Sequence, residues 1–467
     1  MVCKLSAQMS ARLLIIFTGL AFQTACTPSD NTAADSSSAA ADTNGTGTDA
    51  ISTGQDSTAT ADSAVADANS SPDVPPFQAK CTTDATCKTA QVCEFGVCVS
   101  KPSNTEKLNL SNPLQDNQAV ADKVQLGCVG ETTADLAKGV VGPAKVTMWG
   151  RVDRFGSGVV TADVEVAVYE LSQFHPEACA GIVNTDAAPD AIENCMIDES
   201  KVGKPLAKVI AVLPNVDKPT DAAVVNGWDV ASAKKADEQC NTHLDCPLGY
   251  ECRKDNGAVA NICVAQHGVY AIENVPTNTP IVVRVRGLPP NKPSWHDSYL
   301  WDYVLLANRT DVKGAGTQPT KYVGTDTYRV NPTIVGEGQW QLVPTTMGFN
   351  DITDGNGVIG GRVRDCGVDG GRGGFAIHNA RVGLGVSGQG IAYFNDSEDN
   401  TVPVKTRGAT DLIGRFAAVD VPAGPNRIAA AGWMDSAVVS LGSQDVYVIP
   451  NALMIVTLPG HIPTLNK

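Results

Sequence analysis

Beyond residue 140 the chain alternates. Blocks such as MWGRVDRF, ADVEVAV and GVYAIENVP place apolar side chains at every second position for a few residues, then stop at Gly, Pro or Asn. That period belongs to strands with one face in a core, and long runs at helical spacing are few. The blocks also recur. With Gly150 of MWGRVDRF placed over Gly361 of IGGRVRDC, Ala162-Asp-Val-Glu-Val-Ala-Val falls over Ala380-Arg-Val-Gly-Leu-Gly-Val. GVYAIENVPTNTPIVVRVRG from Gly268 then matches GRFAAVDVPAGPNRIAAAG from Gly414. A last pair, TYRVNPTIV around Tyr328 and VYVIPNALMIV around Tyr447, is expected to close each unit. The expected class is mainly β, two antiparallel sandwiches in tandem.

The repeated units resemble the carboxypeptidase regulatory-like domain, a transthyretin-type, Ig-like β-sandwich. In that family a G-x-V strand leads to an A-x-V-x-V strand, and a T-D-x-x-G-x-F turn leads to a strand ending V-P-x-G. The second unit matches through Thr410, Asp411, Gly414, Phe416, Pro422 and Gly424. The first keeps Gly268, Tyr270 and Pro276 without the Thr-Asp pair. The resemblance implies a first sandwich over 144–345 and a second over 346–467, with Tyr270 and Phe416 as core residues.

The N-terminus places the chain. Lys4 and Arg12 precede an apolar run from Leu13 to Phe22, too short to span a bilayer but suited to an export signal over 1–25. Thr24-Ala25-Cys26 resembles the cleavage box of bacterial lipoproteins, with Gln23 where that family prefers an aliphatic residue. The resemblance implies lipid on Cys26 and an outer-membrane protein facing periplasm or cell surface. Residues 27–72 carry seven aspartates, no Lys, Arg or Glu, and only Ile51 and Val65 as sizeable aliphatics. Such a stretch buries too little apolar surface to order itself, so 26–79 is expected to be a disordered tether, with a linker and leading strand over 100–143. Those aspartates supply nearly half of the net charge of −15, which argues against nucleic acid as a partner.

Export gives the cysteines their meaning. Cys81, Cys87, Cys93 and Cys98 form one cluster within 80–99, and Cys240, Cys246, Cys252 and Cys263 form a second within an insert at 235–265. Neither has the C-x-x-C pairs that zinc or a dithiol enzyme favours. An even count in an exported chain reads instead as disulfides, with three pairings open to each cluster. Both clusters resemble small Dickkopf-like cysteine-rich modules, with Asp84 or Asp245 before the second cysteine. Such short segments cannot hold a core and need covalent closure. Outside them, Cys179 and Cys195 bracket one polar loop and are the expected local pair, which leaves Cys128 for Cys366.

Catalytic chemistry is hard to place. Two G-x-G-x-x-G matches, at Gly355 and Gly383, lie at or in strands rather than between a strand and a helix. Ser232-Ala-Lys-Lys235 fits S-x-x-K without a companion K-T-G. The six histidines are scattered, and the acidic loops near Asp351 and Asp396 lack EF-hand spacing. The sequence gives no reason to expect an enzyme, a metal or a cofactor. SWHDSYLWDY alone invites a ligand: Trp295, Tyr299, Trp301 and Tyr303 fall in nine residues of a chain with 5% aromatics. They read either as a core seam or as an exposed stacking platform, with Tyr299, Trp301 and Tyr303 on one strand face. The expected function is a membrane-anchored, non-catalytic binding or adhesion module for glycan or protein ligands. The alternative is a structural envelope protein without a dedicated ligand.

Overall fold

The computed structural model describes residues 78–459 apart from 113–117, 121–122, 132–137, 156–159, 214–238, 241–245, 247–248, 254–259, 289–294, 308–326, 367–374 and 398–400. The signal, Cys26, the tether up to residue 77, Ser232–Lys235 and Asp245 lie outside the described residues.

The alternating blocks form two sandwiches with the same wiring. In the first, strand Lys145–Arg151 lies between Val269–Pro276, antiparallel, and Thr327–Arg329, parallel. In the second, Asn356–Val363 lies between Arg415–Pro422, antiparallel, and Leu453–Leu458, parallel. The opposing sheets agree as well. Val164–Glu170, Pro280–Gly287 and Ser298–Val304 are adjacent and antiparallel in one, as are Arg381–Leu384, Gly424–Met434 and Ala437–Val448 in the other.

The correspondence extends to single residues in the first pair of sheets. Gly150 stands opposite Tyr270, and Gly361 opposite Phe416. Each partner strand bulges four residues later, at Asn274 and Asp420, both with positive φ. Neither glycine has room for a side chain: a Cβ would lie 2.0 Å from the Val330 carbonyl oxygen at one and 2.1 Å from that of Val456 at the other. The closing pair differs from the sequence expectation. Leu453–Leu458 runs along the first strand of its sandwich as Thr327–Arg329 does, so Tyr328 corresponds to Met454, whereas Tyr447 lies in the preceding strand.

The sandwiches are fused. Leu453–Leu458 also pairs in parallel with Ser298–Val304, and one eight-stranded sheet runs from Gly390–Tyr393 at one end to Ala207–Ala211 at the other. Val146, Met148, Val166, Ile281 and Val283 fill the first sandwich. The second core holds Ile359, Phe416, Ile428 and Met454, and continues under the first sandwich through Tyr169, Tyr299 and Trp301.

Both outer faces of the second sandwich are covered, which explains why its strands lose their alternation. Helix Glu337–Met347, which begins inside the range expected for the first sandwich and crosses its boundary at 345, packs Trp340, Val343 and Met347 on Val358, Ala417 and Val419 of the second. On the opposite side the first cysteine-rich module sets Val92, Val97 and Val99 on Ala429 and Ala431. Gly383 admits it: a Cβ there would stand 2.8 Å from the Cys98 carbonyl oxygen.

The segment expected as a linker over 100–143 is partly built into the second sandwich. Strand Asn109–Asn112 pairs with Ala376–His378, Leu108 and Leu110 enter the core, and Cys128 is bonded to Cys366. The first sandwich therefore stands within a second unit whose pieces come from both ends of the described chain.

Candidate functional site

The four aromatic residues at 295–303 are buried, none more than 7% exposed. The exposed platform is thereby corrected to the seam reading. Period-two alternation would put Tyr299, Trp301 and Tyr303 on one face, but Asp302 has φ 52° and shifts the register against Pro280–Gly287. Tyr303 consequently joins Trp295 and Leu300 in the first core, while Tyr299 and Trp301 face Phe174 with ring centroids at 5.9 and 6.1 Å. Burial pushes the Tyr299 and Tyr303 hydroxyls well above the usual phenol range.

Behind the seam lies a charged cluster that the sequence reading missed. Glu165 accepts from Arg284 at 3.0 Å and Arg286 at 2.8 Å, and Arg284 also donates to the Met196 carbonyl oxygen at 2.8 Å. The Arg284 guanidinium stands 5.3 Å from the centre of the Tyr169 ring. Burial raises the Glu165 carboxyl, but its bonds and charges from Arg286 and Arg284 outweigh that and hold it below the ordinary carboxylate value. Burial likewise pushes Tyr169 up to about 12. The loop from Leu171 to Val202, closed by Cys179–Cys195, covers this cluster with Phe174, Ile192 and Met196. The signal was present in Val-Glu-Val and Val-Arg-Val-Arg, which put Glu165 on one strand and two like charges on a common face of the next.

All twelve described cysteines are paired: Cys81–Cys93, Cys87–Cys98, Cys128–Cys366, Cys179–Cys195, Cys240–Cys252 and Cys246–Cys263. The clusters share one connectivity, first to third and second to fourth. In each, the last two cysteines stand directly opposite on a hairpin and reach back to the two upstream. Three sulfurs of each cluster lie within 4.8 Å of one another because two bridges are stacked, and oxidised sulfur is a poor metal ligand. Asp84 pins the first module by accepting from the Cys93 amide at 2.8 Å. The second is pinned to its sandwich through Glu251, which meets His267 at 2.7 Å and Arg154 at 3.0 Å.

The remaining candidates serve the fold. In the Thr-Asp turn, Thr410 accepts from the Ala380 amide and donates to the Ile377 carbonyl oxygen, while Asp411 accepts from the Ile413 and Arg415 amides and the Arg415 side chain. Beside the acidic loop at Asp351, Asp420 receives Thr353, Asn356 and Gln389. Asp396 holds Arg407 at 2.8 and 3.0 Å, and that hydrogen bond leads the causes that bring its carboxyl down to about 2. Within the two acidic loops, Asp396 is thus turned to Arg407, and Asp354 accepts from the Asn451 side chain at 2.7 Å. The two G-x-G-x-x-G stretches fall at strands Asn356–Val363 and Arg381–Leu384, as a non-nucleotide reading requires.

Six disulfides among the described residues indicate an exported or extracellular protein, and no described helix is long and apolar enough to cross a membrane. No family model and no curated protein matches the chain. Among solved structures, a leucine-rich repeat protein from Bacteroides thetaiotaomicron aligns over 68% of this chain and 27% of its own, at 10% identity and a TM-score of 0.14. Two crystal structures of the shaft pilin spaA from Lactobacillus rhamnosus GG align over 68% and 67% of this chain and 97% and 96% of their own. Their identities are 8% and 9%, with TM-scores of 0.14 and 0.12. Likenesses of this size carry no argument about fold or function.

Proposed function

We propose that the chain is an exported lipoprotein, anchored to the outer membrane through Cys26, that acts as a non-catalytic binding or adhesion module for protein ligands. The supporting observation is the complete pairing of the described cysteines around two fused sandwiches, a construction that needs an oxidising compartment. The buried charges at Glu165, Asp411 and Asp420 are spent on protein donors rather than gathered in a cleft. Glycan stacking loses its basis once Trp295, Tyr299, Trp301 and Tyr303 lie in the core, so protein ligands are favoured.

Anchoring is tested by growing cells on labelled palmitate. Wild type should take up label and sediment with membranes, and Cys26→Ser should do neither; a soluble, unlabelled wild type ends the lipoprotein reading. Ligand binding is tested by photo-crosslinking on intact cells. Recovery of a single envelope neighbour, with no extracellular protein captured, would favour the structural alternative.

A further inference from the structure

Among the described residues, the duplication leaves one edge paired in the first sandwich and unpaired in the second. In the first, Ser298–Val304 is the last strand of its own sheet, and Leu453–Leu458 of the second sandwich closes that edge. Ser298 pairs with Leu453, Tyr299 with Met454 and Leu300 with Ile455, all in parallel. The counterpart in the second sandwich is Ala437–Val448. The two strands share a bulge, which brings their edges into register. Leu300 and Tyr303 flank Asp302 in one, and Ser440 and Ser443 flank Gly442 in the other, with both bulge residues at positive φ. Val438, Val439 and Ser440 thus correspond to Ser298, Tyr299 and Leu300.

Ser298, Tyr299 and Leu300 are buried, whereas Val438, Val439 and Ser440 are only half-buried and Ala437 is exposed. Among the described residues no strand pairs with the outer edge of Ala437–Ser440. Two acidic residues mark the rim: Glu94 on the first module's strand beside this one, and exposed Asp435 at the hairpin tip, two residues before Ala437. An unpaired edge with β-branched residues is a template for an added strand.

We propose that the edge Val438–Ser440 docks an extended apolar strand of another protein, one with basic flanks. It would run parallel to Ala437–Ser440, as Leu453–Leu458 runs along Ser298–Leu300. The internal junction between the sandwiches supplies the geometry, the acidic rim favours a cationic partner, and the filled position of Leu453–Leu458 rules out that strand of the same chain as occupant. The inference shares with the proposed function only the idea of a protein partner. Failure of palmitate labelling leaves it intact, and its own failure leaves the anchoring reading intact.

The probe is a fluorescent peptide with the sequence NALMIVTL, copied from Asn451–Leu458 and flanked by lysine pairs, added to the purified, oxidised protein. The expected result is saturable binding, with new hydrogen-exchange protection confined to amides within residues 437–441. A strand at an edge uses only alternate N–H groups. N-methylation of one alternate set in the peptide should therefore weaken binding about tenfold or more, and of the other set leave it unchanged. No binding, protection elsewhere, or equal effects of the two methylated sets would overturn the proposal. So would concentration-dependent protection of these amides without peptide, which would show a second copy on the edge.

Discussion

The two sandwiches share strand order, bulge positions and a bare glycine opposite an aromatic ring, yet they are insulated differently. The position after the first valine of VEVAV and RVGLGV shows the contrast most clearly. In the first sandwich it is Glu165, buried and paired with two arginines beneath a disulfide-closed loop; in the second it is Gly383, pressed against a cysteine-rich module. A common wiring therefore tolerates either a buried charge cluster or a close backbone contact at one outward position. What decides is the element laid over the sheet, and that element lies elsewhere in the sequence.

The largest expected effect comes from removing what joins the two regions. Cys128–Cys366 spans 238 residues and encloses the first sandwich, so the chain-entropy relation gives about 5 kcal/mol for its loss. Cys81–Cys93 closes only 12 residues, for which the same relation gives about 3 kcal/mol. Denaturant unfolding of Cys128→Ala/Cys366→Ala against Cys81→Ala/Cys93→Ala checks the order. In the first variant the sandwiches should also begin to unfold in separate transitions; a single unchanged transition would mean that the shared sheet alone couples them.

Next comes the outward position itself. Glu165→Gln leaves the buried Arg284 and half-buried Arg286 guanidinium groups facing a neutral amide and should cost about 4 kcal/mol, because breaking a buried pair strands its charge. Gly383→Ala sets a Cβ against backbone rather than a flexible side chain and should cost about 2 kcal/mol, mostly as detachment of the first module. Limited proteolysis between Cys87 and Cys98 would follow that detachment. Equal effects of the two substitutions would erase the distinction between the regions.

Acid should separate the regions again. The Glu165 carboxyl is lowered in the folded protein, so its contribution is complete above the unfolded value, about 4.3, and is lost as pH falls through the lower folded one. The stability gap between wild type and Glu165→Gln should therefore be wide at pH 7 and narrow progressively below pH 4. A gap that widens in acid would show that the arginines do not stabilise the charge.

Much of the wiring was legible because it rests on local pattern. Alternation located the strands, and the match of Gly150 to Gly361 and of Tyr270 to Phe416 returned in the register of the sheets. The polar loop between Cys179 and Cys195 identified its own bridge, and Cys366 followed for Cys128. The failures have one physical source: contacts made by distant segments. Ala429-Ala430-Ala431 does not alternate because Ala430 faces a core while its neighbours face the first module. Trp295–Tyr303 stayed open between seam and platform because nothing local announces that Phe174 will cover it, or that Asp302 will turn Tyr303 inward.

The smallest effect tests the finest difference between the two units. Tyr270 and Phe416 occupy equivalent positions, and only Tyr270 carries a hydroxyl, which donates to the Val330 carbonyl oxygen at 2.7 Å. Val330 follows directly on the parallel strand Thr327–Arg329, the shorter of the two that close the sandwiches, which pairs at three positions where Leu453–Leu458 pairs at six. The hydroxyl thus ties down a short closing strand, a task the second sandwich meets with a longer ladder. Tyr270→Phe keeps the ring and removes the tie, at an expected cost of about 1 kcal/mol. Faster amide exchange should appear in residues 328–330 while residues 453–458 stay unchanged. If exchange rises equally in both, the hydroxyl is supporting the common core rather than compensating for the short strand.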